Sequence, residues 1–156
     1  MPAREINGTD ELRGLIGQHL GYSDWVEITQ DRVNQFADAT GDHQWIHVDV
    51  ERAKAGPFGG PIAHGYLTLS LGPMLAPQIY TMKGFSMGVN YGAEKIRFPA
   101  PVPVDSKVRA RAEVVSVDEV GGGWHQVVTR FTLEVEGSEK PCFVGDSVTR
   151  VMAAAG

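Results

Sequence analysis

Hydrophobic positions along the chain change their period at about Lys83. Ahead of that point the pattern is helical or irregular; beyond it apolar and polar residues alternate, as in a strand with one face buried. Leu12, Leu15, Ile16 and Leu20 recur at helical spacing and predict a helix over 10–19, part of a helical N-terminal extension at about 9–20. A short strand is expected over 24–28. Thr29 reads as an N-cap, with Asp31 in the first turn, for a helix that sets Val33, Phe36, Ala37 and Thr40 on one face and stops at Gly41. Residues 42–48 read as an irregular loop, 49–55 as a short helix, and Gly56-Pro57-Phe58-Gly59-Gly60-Pro61 as a further loop. Tyr66, Leu67, Leu69, Leu71, Met74 and Leu75 are apolar nearly all round, which predicts a helix buried on most sides and kinked or ended by Pro73.

In the second half, Val127, Thr129, Phe131, Leu133 and Val135 form one face of a strand, with Gln126, Arg130, Glu134 and Glu136 on the other. Val108, Ala110, Ala112 and Val114 alternate in the same way with Arg109, Arg111 and Glu113, and the phase slips at Val114-Val115 as a β-bulge would make it. Gly121-Gly122-Gly123 and Gly137-Ser138 mark hairpin turns. Ile96 and Phe98 belong to a further strand, and 143–152 to the last. One buried helix followed by about four long antiparallel strands is an α+β architecture. The compact solution is the hotdog arrangement, a curved antiparallel sheet wrapped around a central helix; a generic two-layer sandwich is the alternative. The strand over 126–136 has no proline to blunt an edge, so a homodimer that covers it is expected.

The 156 residues fit one domain spanning 1–156. With 42% hydrophobic and 21% charged residues, the composition is that of a globular chain with a core of useful size. A net charge of −5 disfavours nucleic acid as the main partner, because phosphate binding wants a basic face. No run approaches the roughly 18 apolar residues of a membrane span, and the first ten residues lack the apolar centre of a secretory signal. Cys142 is the single cysteine, which suits a reducing compartment; a cytoplasmic protein with no membrane partner is expected.

Phe36-Ala37-Asp38-Ala39-Thr40-Gly41-Asp42-His43-Gln44-Trp45-Ile46-His47 is the most informative stretch. A helix ending at Gly41 delivers Asp42 into a loop, with His47 five positions on, and a loop can turn both side chains to one point. A carboxylate with an imidazole suits acid–base work near neutral pH. The plainer reading, in which Asp42 caps a turn and His47 packs in the core, stays open on spacing alone.

The stretch resembles the hydratase motif of the MaoC-like family, which includes the R-specific enoyl-CoA hydratases. That motif runs aromatic, small residues, Gly-Asp, a variable residue, Asn-Pro, aliphatic, His. Phe36, Gly41, Asp42, Ile46 and His47 fit it at the expected spacing, while Gln44-Trp45 stands in place of Asn-Pro. The resemblance continues through Gly60-Pro61-Ile62-Ala63-His64-Gly65, the family's entry to its central helix. It extends to Asn90-Tyr91-Gly92, Lys95-Ile96-Arg97-Phe98 and Pro101-Val102, a signature of nodulation-protein-N-like members, and so covers about residues 25–115. It implies that Asp42 and His47 hold a water beside an enoyl double bond, and that the backbone N–H of Gly65 receives the negative charge built on the thioester oxygen. A free N–H at a helix start suits that charge. Where some members place a serine or threonine hydroxyl eight residues after the glycine, this chain has Pro73.

On this resemblance the expected function is a hydro-lyase that adds water reversibly to trans-2-enoyl-CoA, giving (R)-3-hydroxyacyl-CoA, in fatty acid metabolism and without cofactor. The thioester carrier is coenzyme A or acyl carrier protein. A hotdog acyl-CoA thioesterase is the alternative, and so is a non-catalytic acyl-thioester binding protein, which the Gln44-Trp45 departure supports best. Gln44, Trp45, Lys95 and Arg97 are substrate-binding candidates, the last two as charge-assisted contacts to coenzyme A phosphates. On an alternating strand such charges also read as a solvated face. His43 and His47 with Asp42 and Asp49 invite a metal reading, but histidines at i, i+4 share a face only on a helix and Gly41 argues against one, so no metal is expected. His64 reads as structural and Cys142 as an inert core thiol. Trp45 and Trp124 either line an acyl tunnel or pack.

Overall fold

The alternating half of the sequence becomes four long strands in the computed structural model, which describes residues 2–155. The half before it runs β1 (Arg4–Asn7), α1 (Gly8–Gly14), β2 (His19–Tyr22), β3 (Val26–Glu27), α2 (Gln30–Thr40), α3 (Trp45–Val48), α4 (Val50–Lys54), α5 (Gly65–Ser70), α6 (Gly72–Ile79) and β4 (Tyr80–Lys83). The long strands are β5 (Phe85–Arg97), β6 (Lys107–Gly121), β7 (Trp124–Val135) and β8 (Phe143–Ala153). They form one antiparallel sheet in the order β2-β6-β7-β8-β5, with β3 also on β6, while β1 and β4 pair in parallel apart from it.

The alternation has a simple physical destination. Val127, Leu133 and Val135 of β7 and Val108, Ala110, Ala112 and Val114 of β6 are buried, and they share one core with Leu67 of α5, Leu71 at the junction, and Leu75 and Ile79 of α6. The two helical segments are the central helix around which the sheet lies, and the fold is a hotdog. The bulge sits where the phase slips: Val114 faces Thr129 and Ser116 faces Val128, leaving Val115 as the extra residue. One buried charge is matched inside the sheet: Asp146 of β8, 3% exposed, lies opposite Arg130 of β7 and accepts two guanidinium hydrogen bonds at 2.8 and 3.1 Å. Among the described residues no helix is long and apolar enough to cross a membrane.

Four expectations are corrected. The first helix ends at Gly14 instead of continuing to 19, because Gly17 takes a left-handed φ of 82° and donates to the Val114 carbonyl; Leu20 is buried on β2 instead. The irregular loop is only 42–44, since the His47 N–H reaches back to the Gln44 carbonyl and closes α3. The central helix breaks at Leu71, with Pro73 in the first turn of its second segment, as Pro73 foretold. It is covered along one stripe only, leaving Tyr66 70% and Met74 39% exposed. Finally, β7 is the centre of the sheet and no edge. The long edge is β5, along which Met87, Val89 and Tyr91 are exposed.

Candidate active site

The α2 helix aims the first site residue. Thr29 caps its start by accepting the Arg32 N–H, Val33 and Ala37 anchor it in the core, and Gly41 ends it at φ 82° with its N–H on the Ala37 carbonyl. That left-handed turn throws Asp42 out of the helix, exposed, with its carboxylate accepting from the Gln44 N–H at 3.3 Å. Three residues further the chain turns inward as α3 and buries His47 to 6% exposure.

His47 is fixed at both ends. Its carbonyl accepts from the Gln30 side chain at 2.8 Å, and its Nδ1 lies 2.7 Å from the Ile62 carbonyl. A carbonyl only accepts, so Nδ1 carries the proton and Nε2 keeps its lone pair. Burial lowers the His47 pKa below the usual imidazole value, and neighbouring His64 lowers it further; the Ile62 bond and the Asp42 charge oppose them. The ring is therefore neutral at pH 7, ready to accept a proton.

His64, read as structural from the sequence, is buried to 2% exposure against the other polar groups of the site. Its ring stacks on His47 with centroids 3.9 Å apart, and its Nε2 is 3.0 Å from the Asp42 carbonyl. Donor atoms of Asp42, His47 and His64 lie within 4.8 Å of one another, the one such trio among the described residues. It is a poor metal cage: rings stacked at 27° do not aim in-plane lone pairs at a common point about 2.0–2.1 Å away. His43 turns away to Asp38 at 3.0 Å, a bond that raises its pKa, and Asp49 caps α4.

Gly65 opens α5, where its N–H has no partner within the helix. It lines, together with His47, Ile62, Thr68, Phe98 and Cys142, a cleft of about 300 Å³. A side chain at Gly65 would meet the Phe98 ring at 3.1 Å, so glycine is what lets the cleft reach the helix start. Cys142 is inert, its thiol pushed up to about 12 by burial and bonded to the Leu133 carbonyl. A larger cavity of about 670 Å³ lies between the Leu69–Ala76 stretch and strands β5 and β8, lined by Asn90, Tyr91 and Gly92 among others.

The structure thus brings Asp42, His47 and Gly65 into one neighbourhood, with His47 and Gly65 in the cleft lining and Asp42 exposed beside them; the remaining candidates, like Asp42, line neither cavity. Trp45 packs against Gly56 with the Arg52 guanidinium 4.3 Å above its ring, so it serves packing. Gln44 is exposed, and Lys95 and Arg97 are exposed on β5, Lys95 at φ 54° in the irregular register between Glu94 and Arg97. Trp124 sits at the β6–β7 turn, opposite Gly121.

Comparison with known proteins agrees with this geometry. Residues 11–136 match the family model described as the MaoC like domain. The 3-hydroxyacyl-thioester dehydratase Z of Mycobacterium tuberculosis is 55% identical over 150 residues, covering 96% of this chain and 99% of the relative. Nodulation protein N of Rhizobium leguminosarum bv. viciae is 40% identical over 141 residues, covering 89% and 88%. The solved (R)-hydratase of A. caviae superposes with a TM-score of 0.67 at 26% identity, over 86% of this chain and 94% of that one. With its Gly-Asp turn, buried histidine and helix-opening glycine in place, the chain belongs to the MaoC-like dehydratase family.

Proposed function

We propose that the protein adds water reversibly to trans-2-enoyl-CoA, giving (R)-3-hydroxyacyl-CoA. The observation that carries this is the fixed tautomer of His47: its lone pair on Nε2 is free, its ring is neutral, and it shares a cleft with Gly65. A water held between His47 Nε2 and the Asp42 carboxylate adds its oxygen to C3 of the enoyl group. The electron pair of the double bond moves towards the thioester oxygen, where the Gly65 N–H stabilises the enolate. A proton returned to C2 from the same pair completes the addition, so hydroxyl and hydrogen enter from one face. Relatives named a 3-hydroxyacyl-thioester dehydratase and an (R)-hydratase support both the reaction class and the product hand. The larger cavity is the place we assign to the acyl chain, and Lys95 and Arg97 are the cations we assign to the coenzyme A phosphates.

The test is a spectrophotometric assay with crotonyl-, octenoyl- and dodecenoyl-CoA. Loss of enone absorbance without free thiol is the expected result, and a dehydrogenase specific for (S)-3-hydroxyacyl-CoA should stay silent on the product. Release of free thiol would make the protein a thioesterase. A signal from the S-specific enzyme would leave a hydratase with the opposite facial choice.

A further inference from the structure

Of the two stacked imidazoles His64 is the deeper, 2% exposed against 6% for His47. Its Nε2 faces a carbonyl, which only accepts, so the proton sits there and Nδ1 is a bare acceptor. That Nδ1 is buried without a hydrogen-bond partner among the described residues. An unpartnered buried acceptor is unfavourable, and for filling space alone a phenylalanine or leucine would serve better.

The position of Asp42 explains what the histidine does there. The other polar side-chain contacts of the 42–44 segment are local: Asp42 with the Gln44 N–H, and His43 with Asp38. The His64 bond to the Asp42 carbonyl spans 22 positions and pins this exposed segment to the body of the fold. The same ring lies flat against His47, and the same residue is the N-cap of α5, peptide-bonded to Gly65. One residue therefore connects all three groups assigned to the chemistry, two through its side chain and Gly65 through its main chain.

We infer that His64 is a positioning residue that fixes Asp42 and His47 relative to the Gly65 N–H. The inference rests on the hydratase reading, in which carboxylate, imidazole and backbone donor must bracket one water and one enolate oxygen. Errors of about 1 Å in such a constellation lower turnover by up to about a hundredfold.

His64→Phe keeps a flat ring against His47 and removes the donor, whereas His64→Gln keeps an N–H donor and removes the ring. With crotonyl-CoA, His64→Phe should lower kcat by about 10- to 100-fold with KM changed less than about threefold. His64→Gln should turn over about tenfold faster than His64→Phe. A kcat for His64→Phe within about threefold of the unaltered protein, or no advantage for His64→Gln, overturns the inference. Nitrogen-15 spectra of the unaltered protein test it whether or not the variants fold: His64 should be the Nε2–H tautomer and His47 the Nδ1–H tautomer at pH 7. An Nδ1–H tautomer at His64 means the bond to Asp42 is not made and overturns it too. Absence of hydration by the unaltered protein would remove the proposed reaction and this role with it. Normal hydration with an indifferent His64→Phe would remove this role alone.

Discussion

At the scale of single residues, the site depends on an imidazole that is buried but not fully bonded. Nδ1 of His47 is committed to Ile62, so whatever chemistry the ring performs is performed by Nε2. Asp42→Asn and His47→Ala should each lower hydration at least about a hundredfold, the scale typical of general acid–base groups. Asp42→Asn should leave the melting temperature almost unchanged, because its carboxylate is exposed and bonded only to Gln44. Near-native turnover in either variant would remove the assigned role. The lowered His47 pKa also sets a pH signature. In the proposed reaction the neutral ring is the active form, so the acid limb of kcat/KM should fall below the ordinary imidazole value of about 6.5. Stability follows the same sign: above about pH 6.5 the ring is neutral in folded and unfolded chains alike, and the contribution is fully present. As pH falls towards the lower folded pKa, the unfolded chain takes up its proton first and stability is lost. Chemical denaturation across pH 5 to 7, compared between the unaltered protein and His47→Phe, should show the steeper acid loss in the former.

At the scale of elements, two junctions carry most of the consequence. Gly41 ends α2 in a left-handed conformation and sets the exit direction of Asp42. Gly41→Ala should cost about 1–2 kcal/mol of stability, the strain of a Cβ at that φ, and should depress turnover because Asp42 moves with the turn. Equilibrium unfolding in urea and the crotonyl-CoA assay read the two effects separately. The β7–β8 ladder holds the second junction. Arg130→Met would leave the buried Asp146 carboxylate without its cation, a change that costs about 3–5 kcal/mol for a fully buried pair. With the Arg130 side chain 40% exposed, a loss nearer about 2 kcal/mol is expected, and an unchanged unfolding midpoint would refute it.

For the whole molecule, the decisive feature is which strand lies at the rim. β5 is paired only with β8, and its residues are exposed along nearly its whole length, Met87, Val89 and Tyr91 included. An edge of that length without proline, whose charges gather at its far end in Glu94, Lys95 and Arg97 and leave the Met87–Tyr91 stretch uncharged, is a template for strand pairing. The half-covered central helix beside it, with Tyr66 exposed, adds apolar surface. A homodimer is therefore the expected solution state, with a scattering mass of twice the 16.9 kDa chain at micromolar concentration. Met87→Lys should shift that mass towards one chain, since a lysine blunts a pairing edge. A single-chain mass for the unaltered protein would reject the dimer.

Much of this was legible in the sequence because it is written in local periodicity. The alternation of 127–135 and of 108–114, the slip at Val114-Val115, the cap at Thr29 and the stop at Gly41 are each determined by residues within a few positions of one another. The proximity of Asp42 and His47 was legible for the same reason, the two being joined by a short turn. What only the tertiary structure decided was relation across distance. A period of two gives a strand its faces but not its neighbours, so the sequence could not tell that 124–135 is central and 85–97 is the rim. The helical spacing of Leu12, Leu15, Ile16 and Leu20 gave no warning that the chain would leave the helix at Gly14 to pair with β6. His64 was legible as structural, but what it holds was not: its partners are Asp42, 22 positions away, and the ring of His47, and a buried polar group takes its meaning from what the fold sets against it.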